Sequence, residues 1–296
     1  MGSWGCLESS VSDILAGQAD PIASLARGEF AACILRQAFP AAACRDLVGR
    51  LQERQLIAGS ADSPNSDQAL PVEVVDRWTR QGLNPLSSGR SRVDLGASLG
   101  NYGDDPQDFF RRSAAAHELF SELFEDQPDP IAALYHHLSL LAPNHSVNTA
   151  HEPDGRTYGP AIIRVHYGGY TYGPHFDSVR LREARRNYAV FKYQHQLAGV
   201  LCIQNSTLDG VSAQGIIHRQ PWNAEVDPYL KSGRFDEWVS ERGIEQTCVE
   251  LEPGDLYFFN TGMIHEVPGV PGNAPRIVLA VFIGYSPDDP EIMVWS

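Results

Sequence analysis

From about residue 160 onward the chain is written as short runs of Ile, Val, Tyr and Phe separated by Gly, Pro and Asn, and this punctuation narrows the possible folds more than any other feature. The runs are AIIRVHY (161–167), QLAGVLCIQN (196–205), QGIIHRQPW (214–222), CVELEPGDLYFFN (248–260) and RIVLAVFIGY (276–285). β-Branched and aromatic residues suit a pleated, half-buried surface, and turn formers end each run before it grows long. Many short strands at close spacing predict a sandwich or jelly roll. One polar stretch, AEVDPYLKSGRFDEWVSERGI (224–244), interrupts the series and reads as an inserted helix.

The first half has a different period. Residues 41–56 place Ala43, Leu47, Leu51 and Leu56 near helical spacing. Residues 106–126 open on Pro106 and repeat apolar side chains at Phe110, Ala114, Phe120 and Phe124. Residues 129–142 begin with Asp129-Pro130, a good helix start, and carry Ile131, Leu134, Leu138 and Leu141. Between them lie a polar loop (59–68) and a possible strand (92–99). Helices first and strands later predict an α+β fold, with a helical N-terminal half packed on one sheet. At 296 residues, 43 % of them hydrophobic, the chain can fill one large core. The expectation is a single domain, 1–296: a mainly helical support over 1–155, then a catalytic core of strands over 156–296 with its helical insertion at 224–244.

Composition excludes several partners. The formal net charge is −14, which repels a phosphate backbone, so nucleic acid is not an expected partner. No segment is apolar over a membrane-spanning length, and MGSWGCLESS lacks the basic and apolar regions of a secretory signal. A cytoplasmic location is expected. The five cysteines, Cys6, Cys33, Cys44, Cys202 and Cys248, form no CxxC pair and predict neither a disulfide framework nor a zinc knuckle. Cys202 lies within an apolar run and is expected to be a buried thiol.

The chemistry concentrates in RVHYGGYTYGPHFDSVR (164–180). His175 and Asp177 are two apart, so on an extended chain they project from the same face. That supplies two ligands of a 2-His-1-carboxylate triad, which leaves open positions on iron(II). Gly168, Gly169 and Gly173 let the chain bend into the site. The third ligand should come from a later strand, and His265, beyond the turn Pro253-Gly254-Asp255 and the run LYFFN, offers it. Arg276 follows eleven residues later at the head of a strand. Its planar fork suits a carboxylate such as the distal end of 2-oxoglutarate.

Taken together, His175-Phe176-Asp177, Pro253-Gly254-Asp255, His265 and Arg276 resemble the iron(II)/2-oxoglutarate-dependent dioxygenase superfamily over roughly residues 160–286. Gly215 with the following HRQPW, Asp227 and the FIGY that ends the last run are similar to its small-molecule hydroxylases and halogenases, which act on amino acids and specialised metabolites. The resemblance implies a double-stranded β-helix (jelly roll, cupin-like), Fe(II), 2-oxoglutarate and O2 as cofactors, and oxidation of a C–H bond of a small molecule. Hydroxylation is the usual outcome; desaturation and cyclisation are variants. Halogenases of that group carry a small residue where this chain keeps Asp177, so chlorination is disfavoured. Members of the superfamily often place a Ser two residues after the arginine. Here Val278 stands there, and Tyr167 is the candidate for a second contact to 2-oxoglutarate.

For substrate, the run RLREARR (180–186) is unexpected in an acidic chain. Arg180 or Arg182 near the iron pocket would hold a substrate carboxylate, and Phe176 and Trp222 are candidate pocket walls. Two other activities stay open on sequence grounds: a cupin-type metal enzyme that does not use 2-oxoglutarate, against which Arg276 argues, and a peptidyl hydroxylase.

Overall fold

The structure, a computed structural model, describes residues 4–54, 56–57, 92–272 and 274–296. The polar loop expected at 59–68 lies outside them. Helix and strand alternate in the first part: β1 (Cys6–Glu8), α1 (Val11–Gly17), α2 (Pro21–Ala26), β2 (Ala32–Leu35), α3 (Ala41–Glu53), β3 (Arg92–Leu95), α4 (Leu99–Tyr102), α5 (Pro106–Leu123), α6 (Pro130–Leu141) and β4 (Ser146–Thr149). The two long helices start as their sequences dictate. Asp105 and Asp129 each accept hydrogen bonds from the first free backbone N–H groups, and each is followed by proline, whose missing N–H costs nothing there.

Strands dominate the second part: β5 (Ile162–His166), β6 (Tyr172–His175), β7 (His195–Gln204), the small hairpin β8 (Thr207–Leu208) and β9 (Val211–Ser212), β10 (Gly215–Pro221), β11 (Gln246–Val249), β12 (Leu256–Asn260), β13 (Met263–Val267), β14 (Arg276–Tyr285) and β15 (Glu291–Trp295). Stretch 224–244 carries two helices, α7 (Asp227–Lys231) and α8 (Phe235–Arg242), separated by Gly233 and closed by Gly243 in the left-handed conformation.

Among the described residues there are two principal sheets. Nine strands form the larger one, with the path β1-β2-β12-β7-β14-β15-β4 and with β5 and β3 added beside β14. The smaller has the order β11-β10-β13-β6. Four strands of the larger sheet come from the first half of the chain, which sequence periodicity had assigned mainly to helix. They are short, and their partners are remote in sequence: β2 pairs with β12, β3 with β5 and β4 with β15.

Period-two alternation along β14 sorts the core. Ile277, Leu279, Val281 and Ile283 face one way and join Leu47, Leu51, Leu123, Leu134 and Leu138 of the helices in one buried cluster. Val278 and Ala280 face the other way, with Ala198, Val200, Tyr257 and Phe259 of the larger sheet and Ile217 and Val249 of the smaller, in a second cluster between the sheets. The helices therefore cover one face of the large sheet, and the site lies on the opposite one. No helix among the described residues is long and apolar enough to cross a membrane.

All five thiols are free, and Cys33, Cys44 and Cys202 are buried. Burial pushes Cys33 and Cys202 up to about 12, and Cys44 up to about 11. Iodoacetamide at neutral pH should label the exposed Cys248 rapidly and leave these three unmodified until denaturant is added, because the thiolate is the nucleophile. Native-state labelling of Cys202 at the rate of Cys248, read by mass spectrometry, would contradict the packing.

Candidate metal centre

His175 closes β6 and His265 sits mid-strand on β13, directly opposite it in antiparallel register. Their rings lie 4.1 Å apart between centroids. Asp177 follows just past the strand end. Its Oδ2 is 3.6 Å from Nε2 of His175 and 3.6 Å from Nε2 of His265. These three side chains form a group able to hold a metal ion.

Backbone geometry aims them. Nδ1 of His175 donates to the Gly173 carbonyl at 2.8 Å, and Nδ1 of His265 donates to the Met263 carbonyl at 2.9 Å. With Nδ1 carrying the proton, each Nε2 turns a lone pair toward the shared centre, the arrangement that metal-ligating histidines adopt. Asp177 is fixed through its backbone. Its N–H donates to the Thr261 carbonyl at 2.9 Å, and the hydroxyl of fully buried Thr261 is shared between the carbonyls of Asp177 and Gln196, both at 2.9 Å. Gly168 and Gly169, at φ 55° and 71°, make the left-handed turn that brings β5 round to β6.

The electrostatics fit a cation. Burial, then the neighbouring His265, holds His175 below its ordinary value, so its imidazole is neutral at pH 7, the form that can bind a metal. For Asp177, burial alone would raise the carboxyl, but the two imidazoles outweigh it and hold it well below the usual range. Nε2 of His175 is buried without a hydrogen-bond partner among the described residues. A buried polar atom in that state is costly unless something binds it, and a divalent metal satisfies two imidazole nitrogens and one carboxylate oxygen at once.

The pocket beside the triad is lined by Arg164, His166, Tyr172, Tyr257, Phe259 and Arg276. Arg276 is 6 % exposed and its side chain forms no hydrogen bond or ion pair among the described residues. Arg164 is likewise unpartnered, since the adjacent Asp94 is taken by Arg92 at 2.6 Å and 2.9 Å. His166 is opposite Arg276 across β5 and β14, and neither of its ring nitrogens has a hydrogen-bond partner among the described residues. Two uncompensated guanidiniums in one cavity call for an anion, and a dicarboxylate such as 2-oxoglutarate fits that requirement.

Burial, with Arg276, Arg92 and Arg164 nearby, keeps His166 well below its ordinary 6.5. The unfolded chain takes up this proton near pH 6.5 and the folded one does not. His166 therefore costs no stability above that pH and destabilises the fold progressively as pH falls below it. Urea midpoints should drop less steeply on the acid side for His166→Asn than for wild type; parallel profiles would sink this.

Other candidates are placed differently. Tyr167 belongs to the core cluster on the helical side, because it is one residue from His166 and adjacent strand residues face opposite ways. Tyr172 takes a place on the pocket wall instead. Arg180 donates to the Tyr193 carbonyl at 3.2 Å and lies over Phe191, away from the triad. Arg182 donates to Asp177 Oδ1 at 2.9 Å. Arg185 pairs with Asp104 and Arg186 lies over Phe191. The basic run thus fastens the loop that follows the triad strand. Phe176 and Trp222 stack at 4.9 Å and, with Leu181 and Arg182, line a second pocket on the outer side of His175. Sequence spacing missed Arg164, His166 and Thr261. For the first two the signal was present: they stand two apart on β5.

The sequence profile of the family described as carrier-protein-independent halogenase WelO5 matches residues 5–296. No curated protein matches the chain. Among solved structures, an N-substituted L-amino acid dioxygenase from Burkholderia ambifaria AMMD in complex with alpha-ketoglutarate is similar at 14 % identity, with 93 % of this chain and 90 % of that chain covered and a TM-score of 0.49. The non-haem alpha-ketoglutarate-dependent epimerase SnoN from nogalamycin biosynthesis is similar at 10 % identity, with 88 % and 80 % covered and a TM-score of 0.42.

Proposed function

The chain belongs to the carrier-protein-independent halogenase WelO5 family and is an iron(II)- and 2-oxoglutarate-dependent oxidoreductase, and from this premise we propose that it hydroxylates a small carboxylate-bearing molecule rather than chlorinating it. The observation that carries the proposal is Asp177. Its Oδ2 stands 3.6 Å from both imidazole Nε2 atoms, filling with a carboxylate the ligand position that a halide needs. His175, Asp177 and His265 would hold the iron and Arg276 the distal carboxylate of 2-oxoglutarate.

When bound, iron with 2-oxoglutarate and O2 supplies the oxidising power for C–H cleavage, and 2-oxoglutarate leaves as succinate and carbon dioxide. The protein's part is to hold and to exclude. The guanidinium of Arg276 fixes one end of the co-substrate by a charge-assisted fork. Arg164, whose side chain has no partner among the described residues of the same cavity, is the cation available to a substrate carboxylate now that Arg180 and Arg182 are engaged elsewhere. Val200, Phe259, Val278 and Ala280 line the remaining wall and keep water from the reacting C–H bond.

The same proposal takes the two sheets as a double-stranded β-helix within a single domain, supported by the core cluster that draws on helices and strands alike. Five free thiols support a reducing, cytoplasmic compartment, and the net charge of −14 argues against a nucleic-acid partner.

The test is a screen of free and N-acylated amino acids and related acids for substrate-stimulated succinate release, under labelled dioxygen and saturating chloride. The expected product gains one labelled oxygen atom and no chlorine. Chlorinated product from the wild-type protein would overturn the hydroxylase assignment.

A further inference from the structure

The two carboxylate oxygens of Asp177 have different neighbours. Oδ2 faces the imidazole nitrogens of His175 and His265. Oδ1 accepts from Arg182 Nη1 at 2.9 Å, and the same Nη1 donates to the Phe176 carbonyl at 2.8 Å. One guanidinium nitrogen therefore grips the side chain of one residue and the backbone of the residue before it.

Arg182 reaches this place through a turn built for the purpose. Ser178 Oγ accepts from Leu181 N at 3.0 Å, and the Ser178 carbonyl accepts from the N–H of Arg182 at 3.0 Å and of Glu183 at 3.1 Å. Arg185, pairing with Asp104 and donating to the Gly100 carbonyl at 3.2 Å, ties the far end of the turn to the body of the protein. The Arg182 side chain is 46 % exposed, so packing does not account for its position. Its contact with Asp177 does.

We propose that Arg182 is a positioning residue of the metal centre: by holding Oδ1, it leaves Oδ2 alone to face the two imidazoles and so limits the carboxylate to a single ligand atom. This rests on His175, Asp177 and His265 being the metal ligands. A carboxylate free to turn can offer both oxygens to a divalent cation. A charge-assisted hydrogen bond to one of them makes the pair inequivalent, and partners of this kind typically change metal affinity 10–100-fold. The coordination position that a second carboxylate oxygen would otherwise take stays available for co-substrate and oxygen.

Cobalt(II) alone is the probe, because its visible absorption weakens as coordination number rises and needs no turnover. Wild type, Arg182→Ala, Arg182→Lys and His175→Ala would be titrated in parallel. Arg182→Ala should bind cobalt about 10- to 100-fold more weakly, with less intense bands. Arg182→Lys should recover part of both, since an ammonium can still donate one bond to Oδ1. Wild-type affinity and spectrum in Arg182→Ala, alongside lost binding in His175→Ala, would overturn the proposal while leaving the ligand assignment standing. Undiminished cobalt binding by His175→Ala would instead remove the ligand assignment, and the proposal with it.

Discussion

His265→Ala abolishes iron binding and turnover while leaving the fold in place: this is the largest effect expected of any single substitution here. The reason lies in the division of labour on β13. On the proposed assignment the side chain supplies one of three ligand atoms around a centre where Asp177 Oδ2 is 3.6 Å from each imidazole, and loss of a direct ligand exceeds the roughly 10- to 100-fold cost of losing an outer partner. The strand itself is held elsewhere, by backbone pairing of residue 265 and Glu266 with Ile217 and Ile216 of β10, which alanine preserves. His175→Ala should behave alike. Metal stoichiometry after anaerobic reconstitution, read beside far-ultraviolet circular dichroism, checks it. A variant with wild-type iron content and rate would show that the ligands are other residues.

Arg276→Leu should raise the KM for 2-oxoglutarate about 30-fold or more, with a smaller change in kcat at saturation. Arg276 is buried, its side chain has no hydrogen-bond or ion-pair partner among the described residues, and it shares a cavity with the triad. Removing one member of a buried charged pair costs roughly 2–5 kcal/mol, and each 1.4 kcal/mol is about tenfold in affinity. Leucine keeps apolar bulk at the head of β14, so the sheet should survive. The discriminating experiment is succinate release over a 2-oxoglutarate titration. An unchanged KM would remove Arg276 from the co-substrate site and leave Arg164 as the cation to test next.

The division into helices and sheets was legible because each depends on local period. The 3.6-residue spacing of Leu47 and Leu51, or of Leu134 and Leu138, and the β-branched run of β14 carry their own signal. The grouping of His175 with Asp177 was legible for the same reason: it needs only a two-residue step. What local pattern does not carry is partnership. β1, β2 and β4 are three or four residues long and become strands only through neighbours remote in sequence. Arginines reach several ångströms from their own backbone, so the fate of Arg180 and Arg182 depended on where the Tyr193 carbonyl and Asp177 lay in space. Tyr167 is the opposite case. Alternation with Arg164 and His166 on one face of β5 already places it on the other.

The order in which strands pair sets a timetable for synthesis. β2, near the start of the chain, completes its antiparallel ladder only with residues 256–259 of β12, and β4 pairs, in parallel, only with residues 291–294 of β15. On the ribosome, these early strands and the apolar faces of α3, α5 and α6 are exposed for most of translation, because the sheet they cover does not yet exist. Pairings this remote close slowly and leave open edges meanwhile. Slowing elongation should therefore bring no gain in yield, whereas chaperone capacity and lower growth temperature should, and truncation before β14 should leave an aggregating fragment rather than a smaller folded unit.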